Sequence, residues 1–139
     1  MSANETVQPP KTAELAQAPS LVPDRAIDVK QLGRFAHDDP KMMQDLLRLF
    51  GLETEILLAH IGAEAPRTAA ARAHTLAVSA RAVGAWKIAE TATELERRAM
   101  APRPVALGDA VRALARAATQ AQMEIQSLIS ASAERTLAS

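Results

Sequence analysis

Apolar residues recur at helical spacing along most of the chain, and the longest such pattern lies between residues 40 and 61. Asp39 and Pro40 precede it, and this pair is typical of a helix start, because aspartate caps free N–H groups and proline fits the first turn. Apolar side chains then follow in steps of three and four residues, which places them on one face of a helix. The pattern predicts a helix of about five turns whose buried face carries Met43, Leu47, Phe50, Thr54, Leu57 and Ile61.

Two shorter segments flank that helix. A short helix is expected after Asp28, because Gln31 stands three residues further on and the two resemble a capping box. A third helix is expected to begin at Pro66, to run to about Val83, and to be ended by Gly84. Their apolar positions are Val29, Leu32 and Phe35 in the short helix, and Ala69, Ala73, Leu76, Ala80 and Val83 in the third.

Two more helices are predicted in the last third of the chain, over residues 85–100 and 107–134. Pro102 and Pro104 mark the loop between them. Both segments again show steps of three and four residues between apolar positions. These positions are Ile88, Ala92, Leu95 and Ala99 in the fourth helix, and Val111, Leu114, Ala118, Ala121, Ile125 and Leu128 in the last.

The order of these segments predicts the fold and the domain boundaries. Consecutive helices with short loops, and no segment with the alternation of a strand, indicate an all-α, antiparallel four-helix bundle with a short extra N-terminal helix. The first 26 residues are polar, contain four prolines and keep no apolar periodicity. We therefore expect a disordered tail over residues 1–26 and a helical bundle domain over residues 27–136.

Composition supports the helical prediction and narrows the possible functions. Of the 139 residues 48% are apolar but only 2% are aromatic, so the core has to be built from aliphatic side chains and alanine. Alanine and leucine favour helices. Sixteen basic residues balance sixteen acidic ones, which argues against a nucleic-acid partner.

Several other classes of protein are also disfavoured. The absence of cysteine excludes disulfides and thiolate metal sites, and His37 and His60 are interpreted as ordinary surface histidines, with no metal site predicted. No apolar run is long enough for a membrane span, and the N-terminus lacks the features of a secretory signal, so a cytoplasmic location is the default expectation. No carboxylate pair, catalytic triad or cofactor motif stands in a suitable setting, which argues against a hydrolase or an oxidoreductase.

One histidine, His74, is predicted to face the solvent from the third helix, because it lies roughly 140° from the centre of that helix's apolar stripe. Its neighbours on the exposed face are small, and an arginine lies further out at each end. Small neighbours leave the imidazole accessible to another macromolecule and the arginines favour an anion, so this face is a candidate docking site. The alternative is an alanine-rich helix on which one histidine happens to be exposed. The residues of this face are Ala70, Ala71, Ala77 and Val78 around His74, with Arg67 and Arg81 at the ends.

The segment AHTLAVSARAVGA, residues 73–85, resembles the signature of histidine-containing phosphotransfer (HPt) domains. In that family a histidine is followed by any residue, a leucine, usually a lysine and a glycine, small residues and a further glycine. The chain matches this spacing at His74, Leu76, Ser79 and Gly84. The segments around Asp39-Pro40 and Ile88-Ala89-Glu90 look like the flanking family helices, so the resemblance covers about residues 27–130.

The resemblance implies a bundle that carries phosphoryl groups between receiver-domain aspartates in a two-component phosphorelay, with His74 as the phosphoacceptor. It implies response-regulator receiver domains and a hybrid sensor kinase as partners, and neither an ATP site nor a cofactor of its own, because Mg²⁺ is bound by the receiver. Such a protein is a phosphocarrier (a histidine phosphotransferase) rather than a kinase. We expect no nucleic-acid, membrane or small-molecule partner.

Two residues depart from the family pattern, since Ala77 and Val78 stand where the family has its lysine and glycine. The missing lysine removes a cation worth up to about 1 kcal/mol at an exposed site. Arg81, which leans back towards the histidine, is the better substitute, and Arg67 is the weaker one. Valine fills space that a glycine would leave open. Two alternatives therefore stay open: a degenerate HPt-like adaptor that docks receiver domains or kinases without carrying phosphate, and a helical assembly module with no signalling role.

Overall fold

The computed structural model describes residues 25–103 and 106–138, and five α-helices contain most of them. None of these described residues forms a strand. The helices confirm the five predicted from the sequence, and the last one continues past its predicted end at residue 134. They are α1 (Val29–Phe35), α2 (Pro40–Ile61), α3 (Pro66–Val83), α4 (Trp86–Ala99) and α5 (Gly108–Ala138).

The four longer helices pack as a closed ring. Helix α2 contacts α3 and α5, and α4 contacts the same two helices. The loops that join α2 to α3 and α3 to α4 are only a few residues long, which makes consecutive helices antiparallel neighbours. Helix α1 packs against α3. The observed fold is therefore the predicted antiparallel four-helix bundle with a short extra N-terminal helix.

The predicted apolar faces form the core of this bundle. The five apolar positions predicted for α3 are all buried, and so are most of those predicted for α2. Thr54 is the one buried polar residue among those described, and its hydroxyl donates a hydrogen bond of 2.8 Å to the carbonyl of Phe50. No helix in the described part of the chain has the length and apolar character needed to cross a membrane.

The start of the packed domain lies close to the predicted boundary. Residues 1–24 of the predicted tail lie outside the described residues. Arg25 makes an ion pair of 2.8 Å with Glu124 of α5, and Ala26 packs against the core. The packed part of the chain therefore includes these two residues as well as Ile27, which is fully buried.

Asp28 ties α1 to the junction between α3 and α4. One carboxylate oxygen accepts a hydrogen bond from the backbone N–H of Gln31 (3.3 Å), and the other accepts one from Nε1 of Trp86 (2.8 Å). The backbone N–H of Asp28 donates to the carbonyl of Gly84 (2.8 Å). Gly84 ends α3 at a φ of +82°, a left-handed conformation that favours glycine. The position of α1 therefore depends on contacts to both ends of this junction.

We expect Asp28→Asn to destabilise the fold at neutral pH but not in strong acid. Burial acts to raise the pKa of Asp28. The hydrogen bonds from the Trp86 side chain and from the Gln31 and Lys30 backbone, together with the charge of Arg34, outweigh it and lower the pKa below its ordinary value of 3.8. A carboxyl whose pKa is lowered by folding contributes stability that is present above the unfolded pKa and is lost as the pH falls through the folded one. The difference in unfolding free energy between the two proteins should therefore hold above the unfolded pKa and disappear as the pH falls through the lower pKa of the folded protein.

Urea unfolding followed by the fluorescence of Trp86, the only tryptophan, measures this difference. Because Asp28 is only partly buried, the loss at neutral pH should stay below about 1 kcal/mol. A difference that does not change with pH would contradict the expectation, since it would arise from packing rather than from the carboxylate charge.

Candidate functional site

His74 lies on the outer face of α3, with 62% of its side chain exposed. This confirms the orientation predicted from the helical periodicity. The residue lies in the interior of an 18-residue helix, so regular backbone hydrogen bonds hold its Cα–Cβ direction. An exposed imidazole on a rigid element is accessible to a protein that docks against the helix.

Glu96 of α4 is the direct partner of His74. Its carboxylate oxygens lie 3.2 Å from Nδ1 of the imidazole, and 33% of the glutamate side chain is exposed. A carboxylate accepts a hydrogen bond from Nδ1–H, so it favours the neutral tautomer that carries its proton on Nδ1 and its lone pair on Nε2. Nε2 has no hydrogen-bond partner among the described residues. The pair therefore presents Nε2 as the available nucleophilic atom.

Close packing of α3 against α4 brings Glu96 within reach. Each helix contributes a row of buried alanines in steps of three and four residues to this interface, and small side chains let helix axes approach closely. Glu96 continues the α4 row by one further step, at the solvent edge. Sequence reasoning missed this role, although the position of a carboxylate at the end of a small-residue row was a usable signal. The rows are Ala70, Ala73, Ala77 and Ala80 on α3, and Ala89 and Ala92 on α4, preceded by Ala85 at the N-cap of α4.

Two residues predicted to lie on the exposed face beside His74 are in fact buried. Ala70 is 4% exposed and Ala77 is 1% exposed, so the prediction of an accessible surface at these positions was wrong. Both lie within about 60° of His74 around α3, on the side where His74 and Arg81 contact Glu96 and Thr93 of α4, so we infer that α4 covers them. Ala77 stands where the HPt pattern that this segment resembles has its lysine, and in this chain that position is buried rather than exposed.

The other flank of the histidine is open, as predicted. Ala71 is exposed, and Val78, one turn after His74, is 53% exposed. Arg67 is also exposed, and its guanidinium has no hydrogen-bond or ion-pair partner in the described part of the chain. On one side of the imidazole the accessible surface is therefore formed by the small apolar side chains of Ala71 and Val78. On the other side Glu96 bounds it.

Arg81 reaches across from α3 to α4. Its Nη2 donates a hydrogen bond of 2.9 Å to the hydroxyl of Thr93. Thr93 and Glu96 lie three residues apart on α4, a separation that places their Cβ atoms about 5–6 Å from each other. The guanidinium of Arg81 and the imidazole of His74 are thus bound by two side chains that lie one turn apart on α4. This arrangement supports the hypothesis that Arg81 is the substitute cation, which stays a prediction.

Other charged groups nearby are engaged elsewhere. Hydrogen bonds from Arg97 and Arg98 lower the pKa of Glu94 to about 2, so all three groups are occupied in one cluster on α4. The hydroxyl of Ser79 donates to the carboxylate of Glu53 on α2 (3.1 Å), so this residue of the family pattern links two helices. Arg81 and Arg67 therefore remain the arginines to consider for an anion at His74.

Comparison with known proteins does not assign the chain to a class. No family model matches it, and neither a curated protein nor a solved structure matches it. The described residues also contain no cluster of three or more histidine, cysteine or acidic side chains that could hold a metal ion. The chemistry of His74 and its neighbours is therefore the basis for a functional proposal.

We expect substitutions at Glu96 to change the tautomer of His74 in two distinguishable ways. Glu96→Gln keeps an oxygen that can accept from Nδ1–H, so neutral His74 should remain protonated on Nδ1. Glu96→Ala removes the acceptor and should let the proton move between the two ring nitrogens. Long-range ¹H–¹⁵N NMR spectra, which separate protonated from unprotonated ring nitrogens, measure the populations.

His60 is the internal reference in these spectra. Its Nδ1 lies 2.8 Å from the carbonyl of Ile56, so its tautomer should be the same in all three proteins. If the His74 populations in Glu96→Ala matched those of the wild type, Glu96 would not be the group that orients the ring.

Proposed function

We propose that this protein is a histidine phosphotransfer protein of a two-component phosphorelay, with His74 as its phosphoacceptor. The observation that carries the proposal is an exposed imidazole whose Nδ1 is held by a carboxylate, so that the lone pair lies on Nε2. The all-α four-helix bundle and the spacing of His74, Leu76, Ser79 and Gly84 support the same assignment.

The proposed transfer needs one nucleophile and little else from this chain. Nε2 attacks the phosphorus of an aspartyl phosphate on a receiver domain, a P–N bond forms, the acyl P–O bond breaks, and the receiver carboxylate leaves. The imidazole ring gains positive charge in this step while Nδ1 keeps its proton. The Glu96 carboxylate then faces an imidazolium and stabilises it. Transfer to a second receiver reverses the same steps.

Charge neutralisation at the phosphoryl group would be shared between the two proteins. The receiver would contribute Mg²⁺, so that this protein needs no cofactor of its own and no ATP site. On this chain Arg81 is the proposed cation, because its guanidinium is already held one helical turn from the Glu96–His74 pair. Arg67 is exposed two turns from His74 towards the N-terminus of α3 and is the second candidate. A cytoplasmic location belongs to this proposal, since receiver domains and the cytoplasmic part of a hybrid kinase meet there.

Phosphoryl transfer from loaded receivers tests the proposal. A panel of purified receiver domains, charged with radiolabelled acetyl phosphate and freed of excess donor, is mixed with the full chain. The chain should gain an acid-labile, alkali-stable label from at least one receiver. That label should leave when a second, unphosphorylated receiver is added. If no receiver in the panel passes label to the chain, the phosphocarrier proposal loses its support.

A second candidate function is an adaptor that docks receivers or kinases without carrying phosphate. The exposed Val78, one turn from His74, favours it, because a β-branched side chain there takes up space that an incoming phosphoryl group needs. Ala71→Glu, which puts a charge on the open flank, should weaken receiver binding at least tenfold under either function, as measured by calorimetry. The adaptor function is distinguished by binding that His74→Ala leaves unchanged, together with no label in the transfer assay.

A further inference from the structure

The outer face of α2 carries an apolar stripe that no part of the described chain covers. Met42, Leu49, Leu52 and Ile56 are between 44% and 63% exposed. They lie roughly 135° around the helix from the centre of the buried face of α2. This stripe is separate from the His74 site on α3, so an inference about it does not rest on the proposed function.

The stripe follows a heptad pattern. Met42, Leu49 and Ile56 are seven residues apart, so they occupy three consecutive a positions of a helix-pairing seam. Leu52, three residues after Leu49, occupies a d position, and the d position between Met42 and Leu49 is held by Asp45. Ala59 continues the pattern at the next d position. Apolar residues at such positions pack against a second helix that lies along the first. One exposed apolar residue would not indicate a docking surface, but a row of them does.

The charges beside the stripe indicate what that second helix is. Arg48 and Glu55 flank the seam on one side, at g positions, both are exposed, and neither has a hydrogen-bond or ion-pair partner among the residues described. In an antiparallel pair of helices, g positions face each other across the seam. A helix that places Glu55 opposite Arg48, and Arg48 opposite Glu55, would pair both charges at once, and α2 itself has this sequence.

We propose that the outer face of α2 is a homodimer interface, in which α2 of two copies of this chain pair antiparallel around a two-fold axis. Leu49 of each copy packs against Leu52 of the other at the centre, and Met42 packs against Ala59 towards each end. Two symmetric ion pairs join Arg48 of one copy to Glu55 of the second. A two-fold interface requires a surface that is complementary to itself. This arrangement satisfies that requirement at the central Leu49–Leu52 layers and in the charges of Arg48 and Glu55.

Charge also selects this register over its alternatives. A shift of one heptad in one direction would set Arg48 against Arg48 of the second copy, and a shift in the other direction would set Glu55 against Glu55. A parallel pair would place Asp45, which occupies a d position, directly opposite its own copy. Asp45 is instead paired with Lys41 of its own helix at 3.2 Å. In the antiparallel register it lies towards the end of the seam, opposite Ile56.

The expected affinity is modest. One helix face from each copy buries less than the roughly 1,600 Å² of a standard protein interface. We therefore expect a dissociation constant in the micromolar range, about 1–100 µM, and a monomer–dimer equilibrium rather than a permanent dimer.

Sedimentation equilibrium of the full chain between about 1 and 500 µM, a range set to bracket that constant, tests the proposal. The weight-average mass should rise from that of the monomer towards twice that value. Leu52→Glu should remove the rise, because it places a charge at the centre of the seam. Met123→Glu changes another exposed apolar residue, on α5, and should leave the rise unchanged. A chain that stays monomeric over the whole range, or one whose dimer survives Leu52→Glu, would overturn the proposal.

Charge exchange tests the register itself. Arg48→Glu and Glu55→Arg should each weaken self-association about tenfold, because each sets like charges against each other in both pairs. An equimolar mixture of the two single variants should associate again, since every ion pair between the two different chains then joins an acidic side chain to a basic one. If the mixture associates no better than either variant alone, the two chains do not pair in this register, and the proposal fails.

Discussion

His74→Ala is expected to reduce phosphoryl transfer from a loaded receiver domain to the background of the assay. The reason is chemical, because Nε2 of this imidazole is the nucleophile of the proposed step and no other side chain on the open face of α3 can replace it. Alanine is compatible with an exposed helix interior, so the variant should unfold at the same urea concentration as the wild type. Label transfer from the receiver panel, read together with the unfolding curve, is the measurement.

His60→Ala is the matched control. His60 is also exposed, lies on a helix and has its Nδ1 held by an oxygen, but that oxygen is the backbone carbonyl of Ile56 rather than a carboxylate. This variant should accept label from the receiver as the wild type does. Label that persists in His74→Ala, or that disappears in His60→Ala, would assign the phosphoacceptor to a different residue.

A small phosphodonor measures the reactivity of each histidine without the docking of a receiver domain. Phosphoramidate reacts with histidine without a protein partner, and ³¹P NMR follows the product. We expect His74 to react about fivefold faster than His60, because the Glu96 carboxylate stabilises the charge that develops on the ring, a contribution of up to about 1 kcal/mol for a partly exposed ion pair. Glu96→Gln should lower the reaction rate of His74 to that of His60 and leave the rate of His60 unchanged.

The helices and the orientation of His74 could be predicted because both depend on local periodicity. Once Leu76 and Ala80 are assigned to the core, the 100° rotation per residue points His74 away from it whatever the neighbouring helices do. The caps at Asp28 and Asp39 are local signals of the same kind. For this reason the bounds of α2 and α3 agree with the prediction.

The surroundings of the histidine could not be predicted in the same way, because they depend on how closely two helices approach. Ala70 and Ala77 lie within about 60° of His74 around α3, and whether such a position is open or covered is decided by α4. The same approach brings Glu96, 22 residues further along the chain, onto the imidazole. The periodicity of α3 alone predicts neither the burial of these two alanines nor the position of Glu96.

This packing also changes the meaning of the departure at Ala77. In the HPt pattern that residues 73–85 resemble, the lysine is a surface cation, so its replacement by Ala77 is expected from the sequence to remove a positive charge beside His74. In the structure the position is buried against α4, so a lysine there would separate the two helices that hold His74 and Glu96 together. The alanine therefore favours the His74–Glu96 contact. Under the proposed function the cationic role then falls to Arg81, which bonds Thr93 of α4 from further along α3.

Gly84→Ala is expected to cause the largest loss of stability of any single substitution considered. The residue has a φ of +82°, where an L side chain costs about 1–2 kcal/mol. A Cβ built there would lie 2.5 Å from the carbonyl oxygen of Asp28 and 2.8 Å from its Cβ. Since backbone cannot move aside as a side-chain tip can, α1 would have to shift and lose its hydrogen bond to Gly84. We expect the free energy of unfolding to fall by about 2–4 kcal/mol, measured by urea denaturation.

Gly62→Ala provides the comparison that isolates this cause. Gly62 also ends a helix, but its φ is −71° and an added Cβ would meet nothing within 4 Å. That variant should gain about 0.4–1 kcal/mol, because alanine restricts the unfolded chain without strain in the folded one. Equal effects at the two glycines would mean that neither the left-handed conformation nor the contact with Asp28 matters. Gly84 joins the helices that carry His74 and Glu96, so the tautomer of His74 in Gly84→Ala shows where the strain is relieved. An unchanged tautomer means that α1 has moved. A changed tautomer means that α3 has moved relative to α4.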